Sequence, residues 1–286
     1  MHIRPYRPDD EDAVIRLMAE QPEFHESPAD RAVLRLDHRL QLVAAQDEQV
    51  VAYGALLCPP WFDPSHLQAS VVVTAARRHE GVGGAMWQQI LMSVGSATTV
   101  HGSVAVDDKR SLAIARHWGL EVYQTPIASV ITFDERPDSV ALADGLWIER
   151  VDDIRNLGRS DLDRLLIDAD TSPEAGETGT HGMAGFDSTP SPVMGVVLHD
   201  ADEPVGLVFT LPEESNGHVL LTAIHPDHRG RGLARVIKQA AHLAAYDRGV
   251  RRLTTSNESS NTAIRRLNES MGYQQLAAYH RVRRTL

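Results

Sequence analysis

The spacing of apolar and polar positions changes period several times along the chain, and each change marks an element. "HIRPYR" reads as a strand, and "DDEDAVIRLMAEQ" repeats apolar residues at helical spacing behind an acidic first turn, which suits the helix dipole. A second helical stretch is expected around "ADRAVLRLDHRL". "LQLVAAQDEQVVAYGALLC" and "LQASVVVTA" are β-rich runs broken by "QDEQ" and "PPWFDPSH", hence a meander with one tight turn and one longer loop. A glycine loop then opens the helix "GAMWQQILMSVGS". After "TVHGSVAV" come the helix "SLAIARHW", closed by Gly119, and the strand "ASVITF".

The polar stretch "DERPDSVALADG" reads as a linker, about Asp134 to Asp144, and after it the order restarts. "LWIERV" is a strand, "DDIRNLGRSDLDRLLIDAD" a helix, and "TSPEAGETGTHGMAGFDSTPSP" a loop-rich segment. "VMGVVLHDADEPVGLVFTL" is a hairpin, "HVLLTAI" a strand, "LARVIKQAAHLAAYDRG" a helix behind a second glycine loop, "VRRLTTS" a strand and "NTAIRRLNES" a helix. The element order recurs with a period of about 140 residues, which is a duplicated domain and not a solenoid of shorter units. The 286-residue length suits two cores, and the expected class is α/β, an α+β mixed sheet in each of two domains, 1–138 and 139–286.

Composition narrows the function classes. No apolar run approaches the roughly 20 residues of a membrane span, and "MHIRPYRPDD" lacks a secretory leader, so a cytoplasmic protein without a membrane partner is expected. Cys58 is the single cysteine, which excludes an internal disulfide and a thiolate metal cage; no metal is expected, and Cys58 itself reads as a buried strand-end residue. The net charge of −11 disfavours nucleic acid as a partner. Its distribution is uneven: Asp144–Ile224 holds 4 basic and 16 acidic residues, whereas His225–Leu286 holds 12 basic and 4 acidic, so one part attracts cations and the other anions.

The basic part opens with "HPDHRGRGLARVIKQ". Here the chain turns through Gly230 and Gly232 into a helix whose first amides lack intrahelical partners. Such amides at the positive end of a helix dipole bind anions, glycine lets the backbone approach a ligand, and Arg229 and Arg231 add charged contacts. A phosphate or pyrophosphate is the natural guest. "TAARRHEGVGGAMWQQ" repeats this outline in the first half. Neither loop is a Walker loop, because the required Gly-Lys pair is missing, and neither has the spacing of a dinucleotide fingerprint.

The two loops resemble the signature R/Q-x-x-G-x-G/A of the GNAT superfamily of acyl-CoA-dependent N-acetyltransferases. The C-terminal copy matches through Arg229, Gly232 and Ala234 after "TAIHP", the N-terminal copy through Arg78, Gly81 and Gly83 after "VVVT". The resemblance covers nearly the whole chain, and the two-domain organisation is similar to that of the mycothiol synthases. It implies two tandem domains, each a mostly antiparallel splayed sheet flanked by helices, with acetyl-CoA as cosubstrate. Thr222, Ala223 and Ile224, and Val71, Val72 and Val73, would run along its pantetheine arm. Arg229, Gly230, Arg231, Gly232, Leu233, Ala234 and Arg235, and Arg78, His79, Glu80, Gly81, Val82 and Gly83, would wrap the pyrophosphate. Asn257 and Asn261 would bind the cofactor arm, with Asp108 aligned to Asn261 in the first half. Many family members carry an acid, a tyrosine, where this chain has Asn268 and Ala115; Asn268 is kept as a cofactor-binding candidate.

A thiol of pKa about 8.5 and an amine of about 10.4 make deprotonating the amine near pH 7 the larger requirement, roughly 4 to 5 kcal/mol against roughly 2 for expelling the thiolate without an acid. The base candidates are Glu213, Glu214 and His218, and strand amides near Ile224 are the expected oxyanion donors. The expected function is acetyl transfer to a small-molecule or peptide amine, with the C-terminal domain active. The alternatives are a non-catalytic acyl-CoA-binding or regulatory protein, and acetylation of a sugar-linked amine as in the mycothiol synthases. A monomer is expected, since a fused pair can mimic a dimer, with a dimer as the alternative.

Overall fold

The computed structural model describes residues 1–20, 34, 38–58, 63–158, 162, 163, 165, 166 and 191–286. These form two compact units, one of Met1–Tyr123 with Tyr279–Leu286, the other of Gln124–Ala278.

In the first unit β1 (His2–Pro5), β2 (Leu40–Gln46), β3 (Gln49–Leu57) and β4 (His66–Val73) pair antiparallel in that order. β4 then lies parallel to β5 (Thr99–Ala105), and β6 (Glu121–Gln124) follows later in the chain. Alternation puts Val43, Tyr53 and Ala55 on one face, under Val14, Ile15 and Leu17 of α1 (Glu11–Met18). Leu67, Ala69 and Val100 face the other way, against Trp87 and Ile90 of α2 (Val82–Met92) and Ala115 of α3 (Lys109–His117).

The second unit repeats the plan. β8 (Leu146–Val151), β9 (Met194–Asp200), β10 (Glu203–Glu213) and β11 (Asn216–Ile224) form an antiparallel meander, and β11 lies parallel to β12 (Arg252–Glu258). α4 (Leu233–Asp247) buries Leu233, Ile237, Ala240, Ala241 and Ala244 against Val196, Leu198, Val208 and Val219. α5 (Thr262–Ser270) follows β12.

The repeats exchange their last strands. β7 (Pro126–Thr132), from the first repeat, pairs with β12 in the second unit. β13 (Gln274–Thr285) gives Gln274, Gln275, Ala277 and Ala278 to β7 and Tyr279–Thr285 to β5 of the first unit. The compact bodies therefore follow the exchange and not the order of the repeats along the chain. Each incoming strand covers an edge of β5 or β12 whose amides and carbonyls would otherwise be unpaired.

Both units also place an extra residue at one spot in the meander, Val51 in β3 and Val205 in β10. Their carbonyls accept from the amides of Thr74 and His225, both at 2.9 Å, which fixes where each glycine loop leaves its strand.

Some expectations change. Cys58 is exposed, because β3 ends at Leu57 and the thiol lies beyond the sheet. Where a helix is expected from Asp152, the described residues show a short 3-10 turn, Ile154–Asn156, and helical positions at Leu162, Asp163, Leu165 and Leu166. The helix around "ADRAVLRLDHRL" and the segment "TSPEAGETGTHGMAGFDSTPSP" fall largely outside the described residues. No described helix is long and apolar enough to cross a membrane.

Candidate active site

The parallel pair in the second unit is short. β11 pairs with β12 only from Asn216↔Arg252 to Val219↔Thr255. Beyond that point Leu221–Ile224 keep β10 on one side, and Ser256–Glu258 keep β7 on the other, so the facing edges diverge inside the sheet. The register against β10 slips there as well: Phe209 faces Leu221 and Thr210 faces Val219, leaving Leu220 as a bulge. A bulge bends its strand and leaves one residue outside the ladder. Divergent edges in mid-sheet present backbone donors and acceptors to an extended, amide-bearing guest. Thr222, Ala223 and Ile224 lie on this edge.

The loop at the open end is built from alternating backbone hands. After the turn Pro226–His228, Arg229 is extended, and Gly230 and Gly232 have φ of +76° and +78°. Gly232 starts α4 with no side chain capping it. A Cβ at either glycine would meet nothing within 4 Å among the described residues, which leaves room over the loop for a ligand. Leu233 is buried, and only its backbone can face that space; Ala234 is half-buried.

The arginines also make contacts within the protein. Arg229 Nε donates to the carbonyl of Ile224 at 3.0 Å, bracing the strand end against the loop. Arg231 lies 3.3 Å from Asp200 and 2.8 Å from His228 Nδ1, and Arg235 bonds Ser270 Oγ. The loop amides of Gly230–Leu233 and the remaining guanidinium donors are both available to an anion. Beside the loop a depression of about 460 Å³ is bounded by Asp200, Asp202, Glu203 and His225, a lining that favours a cation.

The three asparagines separate into two roles. Asn261 is the N-cap of α5, its side chain accepting from the Ile264 amide at 3.4 Å. Asn268, 3% exposed, donates from Nδ2 to Asn257 Oδ1 at 2.7 Å, which places this pair beside the diverging part of β12. Asn268 Oδ1 is buried without a hydrogen-bond partner among the described residues. Swapping its amide O and N would leave a donor unpaired instead, so in either orientation one buried polar atom requires a partner.

Of the base candidates, Glu213 and Glu214 are exposed at the β10–β11 turn, Glu214 at φ +53°. His218 lies on the paired part of β11 near the divergence, and its Nδ1 is 2.9 Å from Oγ1 of Thr254 on β12. The Thr254 hydroxyl donates to the Gly217 carbonyl at 3.0 Å, so it accepts from His218 Nδ1–H. That fixes the tautomer and leaves Nε2 with its lone pair. Burial lowers the pKa of His218 to about 4, so it is neutral at physiological pH. Thr254 was not legible as a partner, because only the strand register brings it opposite His218. The adjacent Leu220 and Leu221, which break the apolar alternation, were the available sign of the bulge.

The first unit keeps much of this construction. β4 pairs with β5 only from His66↔Thr99 to Gln68↔His101, leaving Ala69–Val73, and so Val71, Val72 and Val73, along a diverging edge. No slip interrupts its ladder with β3 between Gln68 and Val73, so the counterpart of the Leu220 bulge is missing. Arg78 Nε donates to the Val73 carbonyl at 3.1 Å, as Arg229 does to Ile224. His79 and Gly81 have φ of +71° and +80°, so the loop keeps its hand although a histidine replaces the first glycine. Glu80 pairs with Arg77 at 3.5 Å, Val82 is buried, and Gly83 packs beneath Val73 and Trp118. Asp108 caps α3 by accepting from the Ser111 amide at 2.9 Å, as Asn261 caps α5. Burial works to raise the pKa of Asp108, but bonds from Ser111 and Arg110 and the nearby charge of Arg78 bring it below the usual carboxylate value.

Comparison with known proteins agrees with this architecture. Residues 193–275 match the family model described as an acetyltransferase (GNAT) domain. A search of curated protein sequences finds no match. Among solved structures, a GCN5-related N-acetyltransferase from Sphaerobacter thermophilus superposes with a TM-score of 0.76 at 19% identity, over 99% of this chain and 95% of that one. A tandem GNAT protein from the clavulanic acid biosynthesis pathway gives 0.71 at 16% identity, over 99% and 98%. A GCN5-related N-acetyltransferase from Kribbella flavida gives 0.56 at 14%, over 96% and 94%. The second half of the chain thus carries a segment that matches an acetyltransferase (GNAT) domain, and the fold along the whole length is similar to that of GCN5-related N-acetyltransferases and of a tandem GNAT protein.

Proposed function

We propose that the second unit transfers an acetyl group from acetyl-CoA to an amine. The divergence of β11 from β12 carries this reading. It offers an unpaired strand edge for an extended pantetheine arm, and its open end meets the amides of Gly230–Leu233, suited to a pyrophosphate. The orphaned polar atom of Asn268 supplies a further point for a pantetheine amide.

His218 is the base that best fits the site. Its Nε2 accepts the proton of the attacking amine as the N–C bond forms and the C–S bond breaks, and the thiolate takes a proton from solvent. Asn268 is an amide bonded to Asn257 and supplies no proton. The oxyanion role suits the bulged Leu220 amide better than Ile224. Ile224 sits beside the loop, four residues further on, or about 13 Å at 3.3 Å per residue. The acidic surface around Asp200, Asp202 and Glu203 favours a cationic acceptor. We further propose the repeats 1–138 and 139–286 as the two GNAT domains.

The test is calorimetry with acetyl-CoA and thiol release across a panel of amines. Gly232→Val, at φ +78°, is expected to remove binding by the second unit and most turnover, and His218→Gln to lower kcat about 10²-fold with binding retained. Binding and turnover unaffected by Gly232→Val would refute the loop assignment. Binding without turnover on any amine would favour the regulatory alternative.

A further inference from the structure

The first unit holds a polar chain that the reaction proposed for the second unit does not use. His101 on β5 is 3% exposed, with Nδ1 at 3.2 Å from Tyr123 Oη and Nε2 at 3.1 Å from Nδ1 of His66 on β4. The two imidazoles are stacked with centroids 5.0 Å apart, and Tyr123 meets His101 edge-on at 5.5 Å. The guanidinium of Arg283 lies 5.0 Å from the centre of the Tyr123 ring. His101 stands opposite Gln68, the last residue of β4 to pair with β5, so His101 sits where the parallel strands part and His66 lies two residues back in the paired stretch. Val100 and Val104 pack on the α2 and α3 side, and alternation therefore turns His101 to the opposite face.

Counting protons shows what this arrangement can do. A neutral imidazole has one N–H, so His101 cannot donate at both nitrogens. In one state Tyr123 donates to His101 Nδ1, and His101 Nε2–H donates to His66. In the other His66 Nδ1–H donates to His101 Nε2, and His101 Nδ1–H donates to the Tyr123 oxygen. A proton arriving at His66 Nε2 converts the second state into the first. His66 passes its Nδ1 proton to His101, His101 passes its own to Tyr123, and the Tyr123 hydroxyl proton leaves. One proton enters, one leaves, and no bond between heavy atoms changes.

We propose that the first unit is a second acyl-transfer site, in which His66, His101 and Tyr123 conduct away the proton lost by an attacking amine. This rests on reading the divergent strand pair as an acyl-CoA site, whose loop geometry the first unit retains. The N–C bond forms and the thioester C–S bond breaks. The amine proton enters the relay, and the departing thiolate is protonated by solvent. The relay differs from the second unit, where His218 meets a threonine.

The experiment uses the full-length chain carrying Gly232→Val, so that the second loop is disabled, and follows thiol release from acetyl-CoA over the amine panel. Turnover is expected to persist with a solvent isotope effect that requires more than one moving proton. Adding His101→Gln is expected to lower kcat about 10²-fold without changing acetyl-CoA affinity. Tyr123→Phe, which removes one oxygen and keeps the ring, is expected to lower kcat and reduce the isotope effect to that of a single proton. The proposal is overturned if Gly232→Val retains one acetyl-CoA site but has no turnover, or if His101→Gln and Tyr123→Phe leave kcat and the isotope effect unchanged. Absence of acetyl-CoA binding by the wild-type chain would defeat the acyl-CoA reading itself, whereas wild-type turnover lost entirely with Gly232→Val would defeat only the second site.

Discussion

Replacing Lys238 by methionine is expected to stabilise the second unit at neutral pH. Lys238 is 1% exposed in the middle of α4, and its Nζ lies 5.2 Å from the centre of the Tyr273 ring, with no carboxylate paired to it among the described residues. Burial lowers its pKa from 10.5 to about 8. At about 1.4 kcal/mol per pKa unit, keeping this ammonium in the core costs about 3 kcal/mol at pH 7. The ring returns roughly 0.5 to 2 kcal/mol as a cation–π contact, so methionine, which fills similar space, gains about 1 to 3 kcal/mol. Below pH 8 lysine is charged in both folded and unfolded chains, and the penalty is complete. Between about pH 8 and 10.5 the folded protein has released the proton while the unfolded chain keeps it, so wild-type stability rises with pH. The advantage of the variant therefore shrinks across that window. Urea denaturation at pH 7 and pH 10 measures both quantities. A variant less stable than wild type at pH 7, or a difference independent of pH, would refute the reasoning and assign Lys238 a partner that the buried geometry does not provide.

Two further outcomes follow from local geometry. Asn261→Ala in α5 and Asp108→Ala in α3 each remove an N-cap and are expected to cost about 1 kcal/mol, read as a lowered denaturation midpoint in the corresponding unit. If Asn261→Ala instead leaves stability intact and weakens acetyl-CoA binding, its main role is ligand contact. At His79, φ +71°, a β-branched residue fits poorly: His79→Val is expected to destabilise by roughly 1 to 2 kcal/mol, and His79→Gly to be neutral or stabilising in the same melt.

The duplicated order of elements was legible because apolar period and glycine position are local signals. The loop was legible too: Gly230, Gly232 and Gly81 occupy the left-handed positions that the motif requires. His79 was not, since a histidine gives no sign that its backbone repeats the conformation of Gly230. The bracing of Arg229 against its own strand was out of view, because sequence shows charge but not reach. Partners joined only by strand register, His218 with Thr254 and His66 with His101, were out of view for the same reason. The exchange escaped notice because "ASVITF" is a short apolar run and the last strand, "QQLAAYHRVRRT", is a mixed polar one, and neither pattern specifies which sheet edge it will cover.

That exchange also governs the order in which the molecule can be completed. The edge of β5 is covered by Tyr279–Thr285, so during synthesis the first repeat must wait with an open strand while the second is still being made. The half that leaves the ribosome first is the half that finishes last.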